Sequence, residues 1–474
     1  TLGMEAYGAY AWALSIIQYL SLLQMGLYAT FTRFYSRLKE RGDKKGLAEL
    51  NGLFLCIYLI IGVIAFCAGM TLIKAIGTVI PIPPNISVDE VDKIRSLMVL
   101  MVINLSIDFP TYIFLSNIVV REQYFFARLM NIVKQITSPM IGIPLLLLGV
   151  GSVSLIVATL CATVIFEMMA IWFCFKFIRI KFRFAKPKMA FLKEIFTFSF
   201  FIFLNLVVDQ INWSIDKNIL GLYADTIQVG IYTNADQLSQ YFFSFASTIS
   251  DVFTPKVHRI VAAGKPDTNK ELTKLFTQVG RLQFMLLSLI TIGFIAVGQP
   301  FVTYYAQGYI EVYYIAIILF FASFVSGIQY LSLGILQAKN MHKFKAVFNF
   351  IVVFLNMAIS IPLCMKFQAV GAAIGTLISN LFINGIVINW YYATRTGLNM
   401  RYFWRNIIRL SRGLIFPIMM MFGILFGLRP DNFTKMIIGG LLILITYAVS
   451  MLKWGLNRHE KQAVFRTLSK LMRR

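Results

Sequence analysis

Acidic side chains are scarce in this chain: 21 Asp and Glu stand against 44 Lys and Arg in 474 residues. Charged residues of both signs make up only 14%, well below the roughly 25% of a soluble domain. No stretch is long and polar enough to form a soluble domain of its own. The five cysteines, Cys56, Cys67, Cys161, Cys174 and Cys364, all sit inside apolar runs. Their odd number and the lack of any Cys-x-x-Cys spacing indicate neither a disulfide framework nor a zinc site. His258, His342 and His459 lie in or beside basic loops, and no clustered metal site is expected. No nucleotide motif is seen and no cofactor is expected.

What the chain has instead is apolar surface: 58% hydrophobic residues and a mean hydropathy of +0.74. Runs of about 20 apolar residues, each long enough to cross a bilayer as a helix, recur along the whole length. Thirteen are read, centred on Tyr10–Ala29, Leu53–Ile80, Leu97–Val120, Phe125–Gly149, Val153–Phe175, Phe196–Gly221, Val229–Phe253, Leu275–Val297, Val312–Leu336, Phe344–Met365, Val370–Ala393, Gly413–Leu428 and Met436–Lys453. The fold class expected is an all-α polytopic membrane protein.

The net charge of +23 invites a nucleic-acid reading, but its distribution rejects one. Alternate loops are basic, and one side of the membrane collects 37 of the 44 Lys and Arg. The positive-inside rule makes that side, and the C-terminus, cytoplasmic. The excess charge then meets anionic lipid headgroups. Thr1 falls on the outer side, so one earlier span is expected before it.

The chain also repeats itself at an offset of about 220 residues. "LGVGSVSLIVATL" around Gly151 corresponds to "FQAVGAAIGTLIS" around Gly371, and "AYGAYAWALSIIQYLS" to "QVGIYTNADQLSQYFF", with Gly8 paired to Gly230. The offset covers six helices, an even number, so the copies run parallel. The expected organisation is an N-terminal lobe at 1–180 without its first helix, a C-terminal lobe at 190–395, two extra spans at 410–455 and a basic tail at 456–474. Fourteen spans would complete the pattern. Two like lobes of this kind enclose a substrate path and rock about it.

"LGMEAYGAY…LLQMGLYATFTRF" and "DKNILGLYADTIQVGIYTNADQL" resemble the openings of the two lobes of polysaccharide flippases in the multidrug/oligosaccharidyl-lipid/polysaccharide exporter superfamily. The resemblance extends over essentially the whole chain. It implies a V-shaped fourteen-helix exporter, without enzymatic activity, in the bacterial cytoplasmic membrane. The implied substrate is an undecaprenyl-diphosphate-linked sugar repeat unit for O-antigen, capsule or a related polymer. The implied partner is the polymerase machinery. Two other readings stay open within the superfamily, a multidrug or cation antiporter and a lipid II flippase. A membrane glycosyltransferase would need an acidic catalytic pair on a sizeable loop, and no loop supplies one.

Polar residues inside the apolar runs are the candidate site, because a charge at mid-bilayer costs about 2.5–3.5 kcal/mol on insertion scales and should face water or protein. Asn205, Asp209, Asn212 and Asp216 share one helix face by spacing. Thr233, Gln237, Gln240, Ser244, Ser247 and Asp251 share another. Both stripes are read as cavity wall, with interhelical hydrogen bonding as the bland alternative. The first-lobe counterpart has only Ser15 and Gln18 on a comparable face. Reflection about the short turns at Gly149–Ser152 and Arg121–Glu122 puts Asp108, Lys134 and Glu167 at one depth, at 1.5 Å of rise per residue. That cluster is either a structural ion network or functional. Asp108, Glu167, Asp209 and Asp236 are the candidates for coupling to protons or sodium. Arg33, Lys134 and Lys217 are the candidates for contact with a diphosphate. Arg33 reads equally well as an orientation anchor, and Lys217 as a membrane-edge pair with Asp216.

Overall fold

In the computed structural model the described residues are 3–78, 80–82, 88–149, 151–187, 189–306, 309–339, 341–457 and 460–462; the side chains at 88–90, 124, 201, 204, 205, 208, 209, 212, 213 and 342–346 fall outside the description. The described chain is helical. In order come α1 (Met4–Ile17), α2 (Leu27–Glu40), α3 (Lys44–Ala75), α4 (Val88–Val120), α5 (Tyr124–Leu147), α6 (Val153–Phe173), α7 (Met189–Tyr223) and α8 (Thr226–Ala262). Then follow α9 (Thr268–Tyr305), α10 (Glu311–Ile328), α11 (Ser332–Ala338), α12 (His342–Asn380), α13 (Ile388–Tyr391), α14 (Met400–Ser411), α15 (Ile415–Gly423) and α16 (Phe433–Ser450). Each of the thirteen predicted stretches centres on helix. Among the described residues nine helical stretches are long and apolar enough to cross a membrane on length and composition alone. One of them, Val347–Thr396, holds two predicted spans. Gln368, at φ 50°, breaks α12 between them.

By contacts the chain divides into a unit of Thr1–Gly230 and a unit of Ile231–Arg474. In the first unit α3 packs on α4, α5 on α6, and α7 on α1 and α2. The contact boundary thus follows α7, whereas the sequence repeat puts α7 at the head of its second copy. The core of this unit is aromatic, built on Phe31, Phe34, Phe54, Tyr58, Phe109 and Phe166. Among the described residues it holds a buried amide pair, Asn51 and Asn117. Asn117 donates to Asn51 Oδ1 at 3.1 Å, and Asn51 donates to Lys181 O at 3.1 Å. That pins the connection after α6 against α3. In the second unit α9 is the hub for α10, α14, α15 and α16. Tyr447 on α16 donates to Met285 O at 2.7 Å and pairs with Ser288 Oγ at 2.8 Å.

The two glycines that the repeat equates meet in the first unit. A Cβ on Gly8 would overlap Thr226 O, and one on Gly230 would lie 2.6 Å from Met4 O and 3.2 Å from Gly8 Cα. This contact within the first unit therefore depends on bare backbone, as small-residue contacts do in membranes. Gly8→Ala is expected to lower the thermal midpoint of purified protein, because overpacking costs about 1–3 kcal/mol. That exceeds the roughly 1 kcal/mol that alanine gains over glycine in helix propensity. Gly440→Ala on α16, with open space around its Cβ, should be neutral or stabilising in the same measurement.

Candidate functional site

The first predicted span is not one continuous α-helix. α1 passes into a tight 3₁₀ stretch, Gln18–Gln24, and the chain then turns through Met25 at φ 48° and Gly26 at φ 67° before α2 begins. Left-handed backbone is natural for glycine and unusual for methionine. Irregular backbone at membrane depth is tolerated where protein covers it or where it lines a cavity. Here it borders one: a pocket of about 210 Å³ within the first unit, whose polar lining comes from Tyr10, Gln18, Ser21, Asn104, Asp108 and Thr159. At about 30 Å³ of liquid per molecule that is room for several waters. Asn104 Oδ1 is buried and has no protein hydrogen-bond partner among the described residues.

Asp108 forms part of this lining, and behind it lies the charged cluster. Lys134 Nζ is 3.8 Å from Asp108 Oδ1, with the two side chains 30% and 23% exposed. The same ammonium sits 5.1 Å from the centre of the Phe166 ring. Thr111 donates to Glu167 Oε1 at 3.0 Å, and the Glu167 carboxyl abuts that of Asp108. Three helices supply these groups: α4 gives Asp108 and Thr111, α5 gives Lys134, and α6 gives Glu167.

The other predicted residues lie elsewhere. The side chains of Asn205, Asp209 and Asn212 are outside the described residues. Asp216, lower on the same helix, is buried, and its neighbour Lys217 is half-buried. On α8, Thr233 is buried, Gln237 accepts from Tyr305 Oη at 3.3 Å, and Gln240 donates to Asp236 Oδ2 at 2.9 Å. Ser244 and Ser247 turn their hydroxyls onto backbone oxygens, and Ser244, like Asp251, is exposed. Ser15 is interhelical glue: it is buried and donates to Trp12 O and to Asn218 Oδ1, at 2.7 and 2.9 Å. Gln18 does face a cavity. Sequence reasoning missed Tyr10, Ser21 and Thr159; only the helix break and the α1–α4–α6 packing bring them together. The far side of α8 borders an apolar cavity of about 480 Å³ that includes Tyr241, Phe245, Phe294, Phe301 and Phe320.

Comparison with known proteins was made on this geometry. A family model described as "Polysaccharide biosynthesis protein" matches residues 1–261. No curated protein matches the chain. Among solved structures, an inward closed lipid II flippase MurJ superposes with a TM-score of 0.73 at 18% identity, over 94% of this chain and 92% of that one. An inward-facing multidrug resistance MATE transporter gives 0.65 at 15% identity, over 82% and 90%. The Vibrio cholerae MATE transporter VcmN in its bent form gives 0.54 at 14% identity, over 82% and 88%. At these identities the structures speak for the fold, and the fold is that of membrane flippases and transporters. With its family match covering more than half of its length, this multi-pass membrane protein belongs to the polysaccharide biosynthesis protein family.

Proposed function

We propose that the protein flips polyprenyl-diphosphate-linked oligosaccharide repeat units from the cytoplasmic to the outer leaflet of a bacterial inner membrane, by ion-coupled alternating access. The polymer served would be O-antigen lipopolysaccharide, capsule or a related polysaccharide, with polymerase machinery downstream. No bond is made or broken, so no catalytic group is required. The orientation is the one the basic loops favour, with the C-terminus in the cytoplasm.

The observation that carries the reading is the polar pocket in the first unit ending on Asp108, Lys134 and Glu167, in a chain of a polysaccharide family. Sugar hydroxyls need many polar partners in a dry setting, and amides, hydroxyls and a carboxylate are what this pocket and the α8 stripe offer. Coupling requires a group whose occupancy differs between conformations, and the carboxyl pair beside a lysine is such a group. The apolar cavity along α8 suits isoprenoid units of the lipid tail. A second reading, lipid II as the substrate, has the MurJ superposition in its favour.

The test is surface polymer in a flippase-null strain. Wild type should restore it. Asp108→Asn, Glu167→Gln and Gln237→Ala should each lower it at least about tenfold at unchanged protein abundance, the equivalent of about 1.4 kcal/mol. Full restoration by all three variants would make the polar residues structural. Rescue of cells depleted of their lipid II flippase, without any effect on polymer, would favour the second reading.

A further inference from the structure

A second pocket, of about 440 Å³, opens at the basic end of the first unit, on the seam between α2 and α7. It is lined by Arg33, Ala190, Lys193, Glu194, Thr197 and Phe198. The seam behind it is firmly closed. Thr30 and Ser199, both buried, share a hydrogen bond of 2.8 Å, and Phe34 meets Phe191 edge-on at 5.2 Å. Glu194 is already engaged, since Arg37 holds its two oxygens at 2.9 and 3.5 Å. Arg33 and Lys193 have no acidic partner among the described residues. Arg33 is nevertheless held in place, its guanidinium lying 4.2 Å from the centre of the Phe198 ring. A cation–π contact of this kind does not use up the guanidinium's hydrogen-bond donors.

The pocket thus presents a positioned guanidinium fork, an ammonium and a hydroxyl around a concavity. With Arg37 counted, three cations face one carboxylate. That is phosphate-binding chemistry. A single carboxylate ligand has two oxygens and one charge, too few to satisfy both unpaired cations. A diphosphate has the oxygens and the charge to bridge them. We propose that this pocket binds the diphosphate headgroup of a polyprenyl-linked molecule at the cytoplasmic edge of the first unit, with Arg33, Lys193 and Thr197 as its contacts. The proposal rests on the flippase reading above and names where that substrate's headgroup first docks.

Purified full-length protein in phosphatidylcholine nanodiscs is titrated with geranylgeranyl diphosphate. Wild type should bind saturably. Arg33→Gln with Lys193→Gln should weaken binding at least tenfold. Lys193→Gln with Thr197→Val, both exposed positions that cannot disturb the core, should weaken it by about threefold or more. Phosphatidylglycerol added at the same concentration should compete poorly. Unchanged binding in both double variants overturns the assignment, as does absence of binding by wild type. Equal competition by phosphatidylglycerol overturns the diphosphate and makes the pocket an anionic phospholipid site. Surface polymer in the flippase-null strain is read in parallel. Restored polymer with unaffected binding in the variants sinks this pocket alone, whereas no polymer from wild type sinks the flippase reading itself.

Discussion

Arg281→Met is expected to destabilise the second unit by about 3–5 kcal/mol, the cost of breaking a buried ion pair from one side. Arg281 is 2% exposed, and its guanidinium makes two 2.7 Å bonds to the carboxylate of Glu460. It also donates to Asn406 O at 2.9 Å and Gly455 O at 3.2 Å. One side chain on α9 thereby joins α14, the end of the α16 segment and the residues beyond it. Glu460→Gln should cost less, because the two backbone carbonyls keep their donor. Arg281→Lys should recover little, since an ammonium cannot reproduce the fork. Thermal midpoints of the detergent-purified variants check the order, and equal midpoints for wild type and Arg281→Met would refute it.

The same clamp predicts a pH dependence. Burial pushes the Glu460 carboxyl up, but hydrogen bonds from Arg281 and from the Asn457 N–H outweigh it and hold the group below its ordinary 4.5. A depressed carboxyl stabilises the fold above its unfolded value and loses that contribution as pH falls through the folded one. The difference in midpoint between wild type and Glu460→Gln should therefore be constant above about pH 5 and shrink progressively below the ordinary value. A difference that grows on acidification would contradict the assignment.

Lys134→Met should be the second most disruptive change, and a second substitution should reverse it. Without the ammonium, Asp108 and Glu167 face each other with no cation. Because Lys134 and Asp108 keep 30% and 23% exposure, the cost should fall near or below the low end of the buried-pair range, at about 2–3 kcal/mol. Adding Asp108→Asn removes one of the opposed charges and should restore most of the midpoint while leaving polymer export lost. Strictly additive effects would show that the two residues do not act as a pair, since coupled sites depart from additivity by about 0.5–3 kcal/mol.

The helical architecture was legible in the sequence because the bilayer leaves the backbone few options. Runs of apolar residues in lipid must satisfy their own N–H and C=O groups, so they become helices. The register of short hairpins is fixed by rise per residue, and that is why Asp108, Lys134 and Glu167 could be placed at one depth before any contact was known. The repeat likewise paired Gly8 with Gly230, although nothing in the pairing says that the two would touch. Helical spacing could also gather Thr233, Gln237 and Gln240 on one face, but a face is only a direction. Whether it meets water or another helix is decided by the neighbour, as Ser15 shows by bonding to Asn218. The polar pocket gathers residues of α1, α4 and α6 with Gln18 and Ser21 of the 3₁₀ stretch, a departure from the α-helix that hydropathy does not report. Arg281 and Glu460 stand 179 residues apart, and in the sequence they read as a basic span end and one acid in a basic tail. No local period links them. Their pairing, like the stacking of Arg33 on Phe198, exists only once whole helices have packed, because the energy of a buried charge depends on what surrounds it and not on where it stands in the chain.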